Sequence, residues 1–346
     1  LMGYPTYQSD IYSVGATMWF LVTGQPPRPR DKSGRILSAK LSNRSVSDHI
    51  DSIILKATEP DVTNRYQTAN EMIQALMFSS DIVPPQVLNG KIPNGTILNS
   101  KYQIDALLQG GMNEIYRGKD ILTDKEIVIK VGEAKFKNEA KILKKIQHPN
   151  IVKYIDDDID VVHGFFLVLE HIKGASLKNI YSGKACPEHD LNNICITLLK
   201  ALQYLHSMNI VHRRVFPDTI TVSDEEELKL IDFRKAIEFP MEKKIDDGTT
   251  LIGNEYFLAF QAPERLMDYP TYQSDIFSVG AIMWFLVTGQ TPQSRDQNGR
   301  ILSAKISNHS VSNHIDSIIL KATDPDVANR YQTADEMIQA LTILSK

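Results

Sequence analysis

The chain has little cysteine, no strong excess of charge of either sign and no apolar run of membrane-spanning length. Two cysteines among 346 residues, Cys186 and Cys195, exclude a disulfide framework and a four-thiolate metal site, and free thiols fit a reducing compartment. A net charge of -4 with no basic block argues against nucleic acid or an anionic membrane as the main partner. The sequence shows no charged segment followed by an apolar export core, so a cytoplasmic location is expected. What is there is a composition 42% apolar, enough for at least one large core, over a length that suggests two domains.

One stretch organises the rest. From Ile276 to Val287 the chain is apolar on almost every face, with Asp275 at its mouth and Gly289 at its end. A helix apolar all round is a buried helix. This one falls well short of the 18 or so residues that would suggest a bilayer span, so other helices should pack around it. The same stretch recurs at Tyr4 to Gly24, and Leu1 to Ser80 lies on Leu266 to Ser345 without a gap, with roughly four positions in five identical. Tyr12 for Phe277 and Glu59 for Asp324 keep size or charge, as expected of two copies held to one structural role. Thr68-Ala-Asn-Glu71 and Thr333-Ala-Asp-Glu336 have capping-box spacing at a helix start.

Residues 81–98, rich in proline and Asn-Gly pairs, read as a linker or a loose surface strand. After it the period changes to two, in Tyr102 to Leu108, Glu114 to Gly118 and Glu126 to Val131, which predicts strands of a small antiparallel sheet. Phe136 to Gln147 is helical in period, Val161 to Glu170 predicts two more short strands, and from Leu177 onward helices dominate, notably Leu191 to Met208. Sheet-rich then helix-rich halves predict an α+β fold of two lobes.

These segments carry a series of motifs in order: Gly110-Gly111, Ile127-Val-Ile-Lys130, Glu139, His148-Pro-Asn, His212-Arg-Arg214, Asp232-Phe-Arg234 and Ala262-Pro-Glu264. In that order they resemble the bacterial Ser/Thr protein kinase family across residues 99–346. The resemblance implies a bilobal kinase-like fold, with a small sheet and one main helix in an N-lobe at 99–171 and a helical C-lobe at 172–346. Residues 1–80 then resemble the C-lobe tail of a preceding kinase-like domain. By the same resemblance Lys130 and Glu139 stand where a nucleotide's phosphates are engaged, Gly110 and Gly111 belong to the phosphate loop, and Glu170 and Ile172 fall at the adenine-contacting hinge. Asp232 stands at the magnesium position, and Leu143, Tyr154, His212 and Phe233 match a stack that ties both lobes to Asp275.

The positions that perform chemistry depart from the family. Arg214 replaces the carboxylate that accepts the substrate's hydroxyl proton, and an arginine cannot act as that base. Phe216 replaces the phosphate-steadying lysine, Thr219 the second metal-binding asparagine, and Phe257 the threonine expected before Ala-Pro-Glu. Arg234 replaces the glycine after Asp232-Phe233, and Arg214 or Arg234 is expected to pair with Asp232 in place of magnesium.

The expectation is therefore a pseudokinase that acts as a scaffold or allosteric module. ATP could still be taken, with magnesium only weakly held. Its expected partner is a catalytic kinase domain in the same or another chain, with a homodimer swapped through the C-lobe tail as a second arrangement. The alternative is an enzyme with residual or altered phosphoryl or nucleotidyl transfer through Lys130, Glu139 and Asp232.

Overall fold

In the computed structural model the chain separates into two units, Leu1–Gly90 and Lys91–Lys346. The residues described are 7–27, 30–31, 34–77, 91–110, 114–132, 134–160, 162–239, 255–264, 270–292, 295–297 and 299–343. No described helix is long and apolar enough to cross a membrane.

The first unit contains α1 (Tyr7–Thr23), α2 (Asp48–Ala57) and α3 (Ala69–Met77). Only one face of α1 is buried, through Ile11, Gly15 and Trp19, while Val14 is 49% exposed and Leu21 72%. Gly15 is required by the close approach of α2, because a Cβ there would lie 2.7 Å from the Ala57 Cβ. Trp19 donates its indole N–H to the Leu37 carbonyl at 3.0 Å, and Asp51 accepts from the Ser38 hydroxyl and the Ala39 amide, each at 2.7 Å.

The second unit opens on a six-stranded antiparallel sheet in the order β1-β2-β3-β4-β6-β5. Its strands are β1 (Ile97–Leu98), β2 (Tyr102–Gln109), β3 (Glu114–Asp120), β4 (Glu126–Val131), β5 (Tyr154–Asp160) and β6 (Gly164–Glu170), with α4 (Ala134–Leu143) packed on the β6 side. One sequence expectation changes here. Of the two strands expected over Val161 to Glu170, the described residues hold one, β6, and the other is β5, whose Tyr-Ile-Asp-Asp-Asp-Ile-Asp text hides the alternation. An edge strand faces solvent and tolerates such acids. Within the segment read as a linker or a loose surface strand, Ile97 and Leu98 pair with Gln103 and Tyr102.

The helical part holds β7 (Gly174–Ser176), α5 (Leu177–Tyr181), α6 (Glu188–Ser207), β8 (Ile210–Val211), β9 (Ile220–Ser223), β10 (Leu228–Leu230), β11 (Ile237–Glu238), α7 (Glu255–Ala259), α8 (Tyr272–Thr288), α9 (Asn313–Ala322) and α10 (Ala334–Thr342). As its sequence requires, α8 is buried throughout, from Ser274 to Val287. It ends at Gly289, whose left-handed φ of 71° lets its amide return to the Phe285 carbonyl. Around it pack α6 and α9, and its Asp275 accepts backbone amides of the loop after β8, which carries part of the candidate site. The α10 cap uses Thr333, whose hydroxyl accepts from the Glu336 amide at 3.2 Å, while the Glu336 carboxylate accepts from the Gln332 amide at 2.8 Å.

Candidate active site

The site is built where β4, α4 and the two loops after β8 and β10 converge. Alternation along β4 puts Ile127 and Ile129 on one face of the sheet and Val128 and Lys130 on the other; this second face is covered too, and Lys130 is only 6% exposed. A buried ammonium requires a partner. It finds Glu139 on α4, with Nζ 2.7 Å from Oε1, and that oxygen also accepts the Phe233 backbone amide at 3.0 Å. Burial pushes the Glu139 carboxyl up and Lys130 pulls it down, with the net shift upward. Its second oxygen, Oε2, is buried and makes no hydrogen bond.

Asp232 sits opposite, with a left-handed φ of 69° that sets its carboxylate toward Lys130 and the loop after β8. Both of its oxygens are taken by guanidinium groups. Arg234 Nε lies 2.6 Å from Oδ1 and Nη2 2.8 Å from Oδ2, while Arg214 Nε lies 2.9 Å from Oδ2. Burial alone would raise the Asp232 pKa. The Arg234 hydrogen bonds and the charges of Arg214, Lys130 and Arg234 instead hold it well below the usual carboxylate range. On α4, Asn138 Nδ2 fixes this loop by donating to the Arg234 and Ala236 carbonyls at 3.3 and 3.0 Å.

The remaining loop positions turn inward. Thr219 Oγ1 donates to the Arg214 carbonyl at 2.7 Å and accepts the Phe216 amide at 3.0 Å, so this hydroxyl is spent inside its own loop. Phe216 is 1% exposed, with its ring centroid 5.3 Å from Phe257 and 6.4 Å from Phe260. The guanidinium of Arg214 lies over both Phe216 and Phe257, at 5.5 and 5.9 Å. Two positions where the family resemblance implies a cation and a hydroxyl therefore meet as an aromatic pair.

A metal does not fit this arrangement. Magnesium takes oxygen donors in a strict octahedron. Here the Asp232 oxygens are bonded by two arginines and the Thr219 hydroxyl is engaged in its loop, and among the described residues no cluster of three His, Cys, Asp or Glu side chains could hold a metal. The nucleotide positions are only partly engaged otherwise. Gly110 directly follows β2, and Gly111 lies outside the described residues. Glu170 has its carboxylate on the Lys153 amide at 2.8 Å and 3.2 Å from Lys229 Nζ, and Ile172 packs on the core.

Asp275 anchors the scaffold. Its carboxylate accepts the backbone amides of His212 and Arg213 at 2.8 and 2.9 Å and contacts His206 Nε2 at 3.1 Å. His212 stacks edge-on to Phe233 at 4.5 Å, and burial pushes its pKa down to about 4. Glu264 and Arg330 pair in bidentate fashion at 2.7 and 2.8 Å, with Ser274 donating to the same carboxylate. His206 lies in the last turn of α6, 69 residues from Asp275, and no sequence spacing points from one to the other.

This fold and this set of positions define a kinase-like domain, and comparison with known proteins agrees. Residues 103–345 match the protein kinase domain family, and the chain belongs to that family. It is 30% identical over 270 residues to serine/threonine-protein kinase PrkC of Bacillus subtilis, covering 70% of this chain and 40% of that protein. It is 28% identical over 282 residues to a probable serine/threonine-protein kinase of Clostridium perfringens, covering 73% of this chain and 39% of that protein. It is also 28% identical over 275 residues to serine/threonine-protein kinase B of Synechocystis, covering 72% of this chain and 47% of that protein. The chain thus spans less than half the length of these relatives, which are named as kinases.

Proposed function

We propose that the second unit is a pseudokinase, a binding and allosteric module whose partner is a catalytic kinase domain in the same or another chain. The carrying observation is that both Asp232 oxygens are held by Arg214 and Arg234. Phosphoryl transfer is chiefly positioning and charge neutralisation by metal and cations. In this site the acid that would hold the metal serves instead as the centre of an ion-pair cluster, and no carboxylate stands at position 214 to take a proton. The packing of Phe216 on Phe257 supports the same reading, because an apolar contact there keeps the loop shaped without a transferring phosphate. A cytoplasmic location and descent of residues 1–80 from a tandem kinase domain go with this proposal.

A second reading is favoured by one observation. Lys130 and Glu139 keep a buried 2.7 Å pair, the geometry that would engage a nucleotide's phosphates, so residual transfer with ATP is its enzyme counterpart. Incubating the chain with labelled ATP and magnesium, with and without a generic protein acceptor, separates the two. The pseudokinase reading expects label no higher than in the Asp232→Asn variant. Magnesium-dependent incorporation abolished by Lys130→Ala would overturn it.

A further inference from the structure

Helix α4 is tied along its length to the segment that runs from Asp232 to β11, and every tie joins groups of the chain itself. Glu139 Oε1 accepts the Phe233 amide at 3.0 Å while it pairs with Lys130. One residue earlier, Asn138 Nδ2 donates to the Arg234 carbonyl at 3.3 Å and to the Ala236 carbonyl at 3.0 Å. Just past the helix end Lys145 pairs with Glu238 of β11, and near its start the Arg234 guanidinium lies over the Phe136 ring at 5.9 Å. The segment is held on its other side as well. Arg214 and Arg234 share the Asp232 carboxylate, the Phe233 ring meets His212 at 4.5 Å, and Asp275 of α8 accepts the His212 amide. Ile237 of β11 pairs with Val211 of β8.

We infer that these contacts form a latch that keeps α4 inward, so that the second unit holds one closed shape with or without a nucleotide. Arg234 is the decisive piece. A glycine at this position would leave the backbone after Asp232-Phe233 free to turn. Arg234 instead reaches back to Asp232 in its own loop and lies over Phe136 of α4, so an outward swing of either element breaks both contacts together. The same swing separates Lys130 from Glu139 and leaves buried charge uncompensated, which is the costly direction. A ligand moves a conformational equilibrium only by its differential affinity for the two states. With Asp232 committed to two guanidinium groups, a magnesium nucleotide finds no open carboxylate there through which to favour one position of α4. That this constant shape serves a binding module rests on the pseudokinase reading, whereas the latch rests on the geometry. The partner then meets a surface that nucleotide levels do not alter.

Hydrogen exchange of the whole chain, read by mass spectrometry over residues 136–143 of α4 and 276–287 of α8, tests this without ligand, with ATP, and with ATP and magnesium. Slow exchange of α4 is expected without nucleotide, unchanged within about twofold by either addition. Asn138→Ala and Arg234→Gly should each speed α4 exchange about tenfold, since each removes ties of the latch, while α8 keeps its protection. A wild-type α4 that exchanges fast and slows about tenfold with ATP and magnesium overturns the proposal, because nucleotide then switches the helix. So does indifference of α4 to both substitutions, and so does acceleration that spreads equally to α8, which marks plain destabilisation. Label incorporated from ATP by a chain whose α4 ignores nucleotide would count against the pseudokinase reading and leave the latch standing.

Discussion

Replacing Asp232 by asparagine is the most informative single perturbation, because it removes a charge without changing volume. In the wild-type site three cations, Lys130, Arg214 and Arg234, face two carboxylates, Glu139 and Asp232. In the variant they face one. Taking one partner from a buried ion pair costs about 3 to 5 kcal/mol, because the remaining charge is left uncompensated. Side-chain exposures of 23% for Arg214 and 15% for Arg234 allow some rescue by water, which places the expectation near the lower end, about 3 kcal/mol. At roughly 2 to 4 °C per kcal/mol for a domain of this size, the midpoint should fall by about 6 to 12 °C. Thermal and urea melts of the whole chain, followed by far-ultraviolet circular dichroism, read this directly. Arg234→Gly, which restores the family's residue, should cost less, since Arg214 still pairs with the acid. An Asp232→Asn chain that melts within about a degree of wild type would refute the claim that the arginines use Asp232 as a structural counter-ion.

Further outcomes follow from the same geometry. Gly280→Ala should cost about 1 to 3 kcal/mol by overpacking, because its Cβ would lie 2.6 Å from the Ala322 Cβ, and urea melts would show it. Phe216→Lys should destabilise the loop by about 3 kcal/mol or more by burying an ammonium among rings, without restoring phosphate transfer in the labelled-ATP assay. His212 is held neutral, with its pKa pushed below the unfolded value to about 4. The unfolded chain therefore binds the extra proton first, and this group's contribution is complete above about pH 6.5 and lost as pH falls toward 4. Melts across that range should show a loss on the order of 3 kcal/mol that a His212→Leu chain lacks.

Much of the fold was legible because its signals are local. The all-round apolar text of α8, its Gly289 stop and the Thr333 cap each need only a few neighbouring residues to be read. The Lys130–Glu139 pair was legible in another way, since its partners sit at motif positions that a family resemblance orders along the chain. What was not legible depends on contacts between distant segments. The sequence allowed Arg214 or Arg234 on Asp232; only folding shows that one carboxylate accommodates both. Likewise Phe216 and Phe257 read as two separate losses, whereas their rings meet at 5.3 Å and compensate each other. Strand β5 escaped because an edge strand need not alternate, and α1 reads like α8 although half of it lies open. Burial there is decided by what packs against the helix, which the helix's own text cannot state.

The central claim is that the arginines stand where a metal would, and a thermal shift of the whole chain with ATP tests it most directly. The chain is melted with ATP alone, with ATP and magnesium, and beside an Lys130→Ala control. A ligand that binds only the native state raises the midpoint by mass action. The account predicts that any rise is the same with and without magnesium. A rise that requires magnesium and disappears in the Lys130→Ala chain would contradict it.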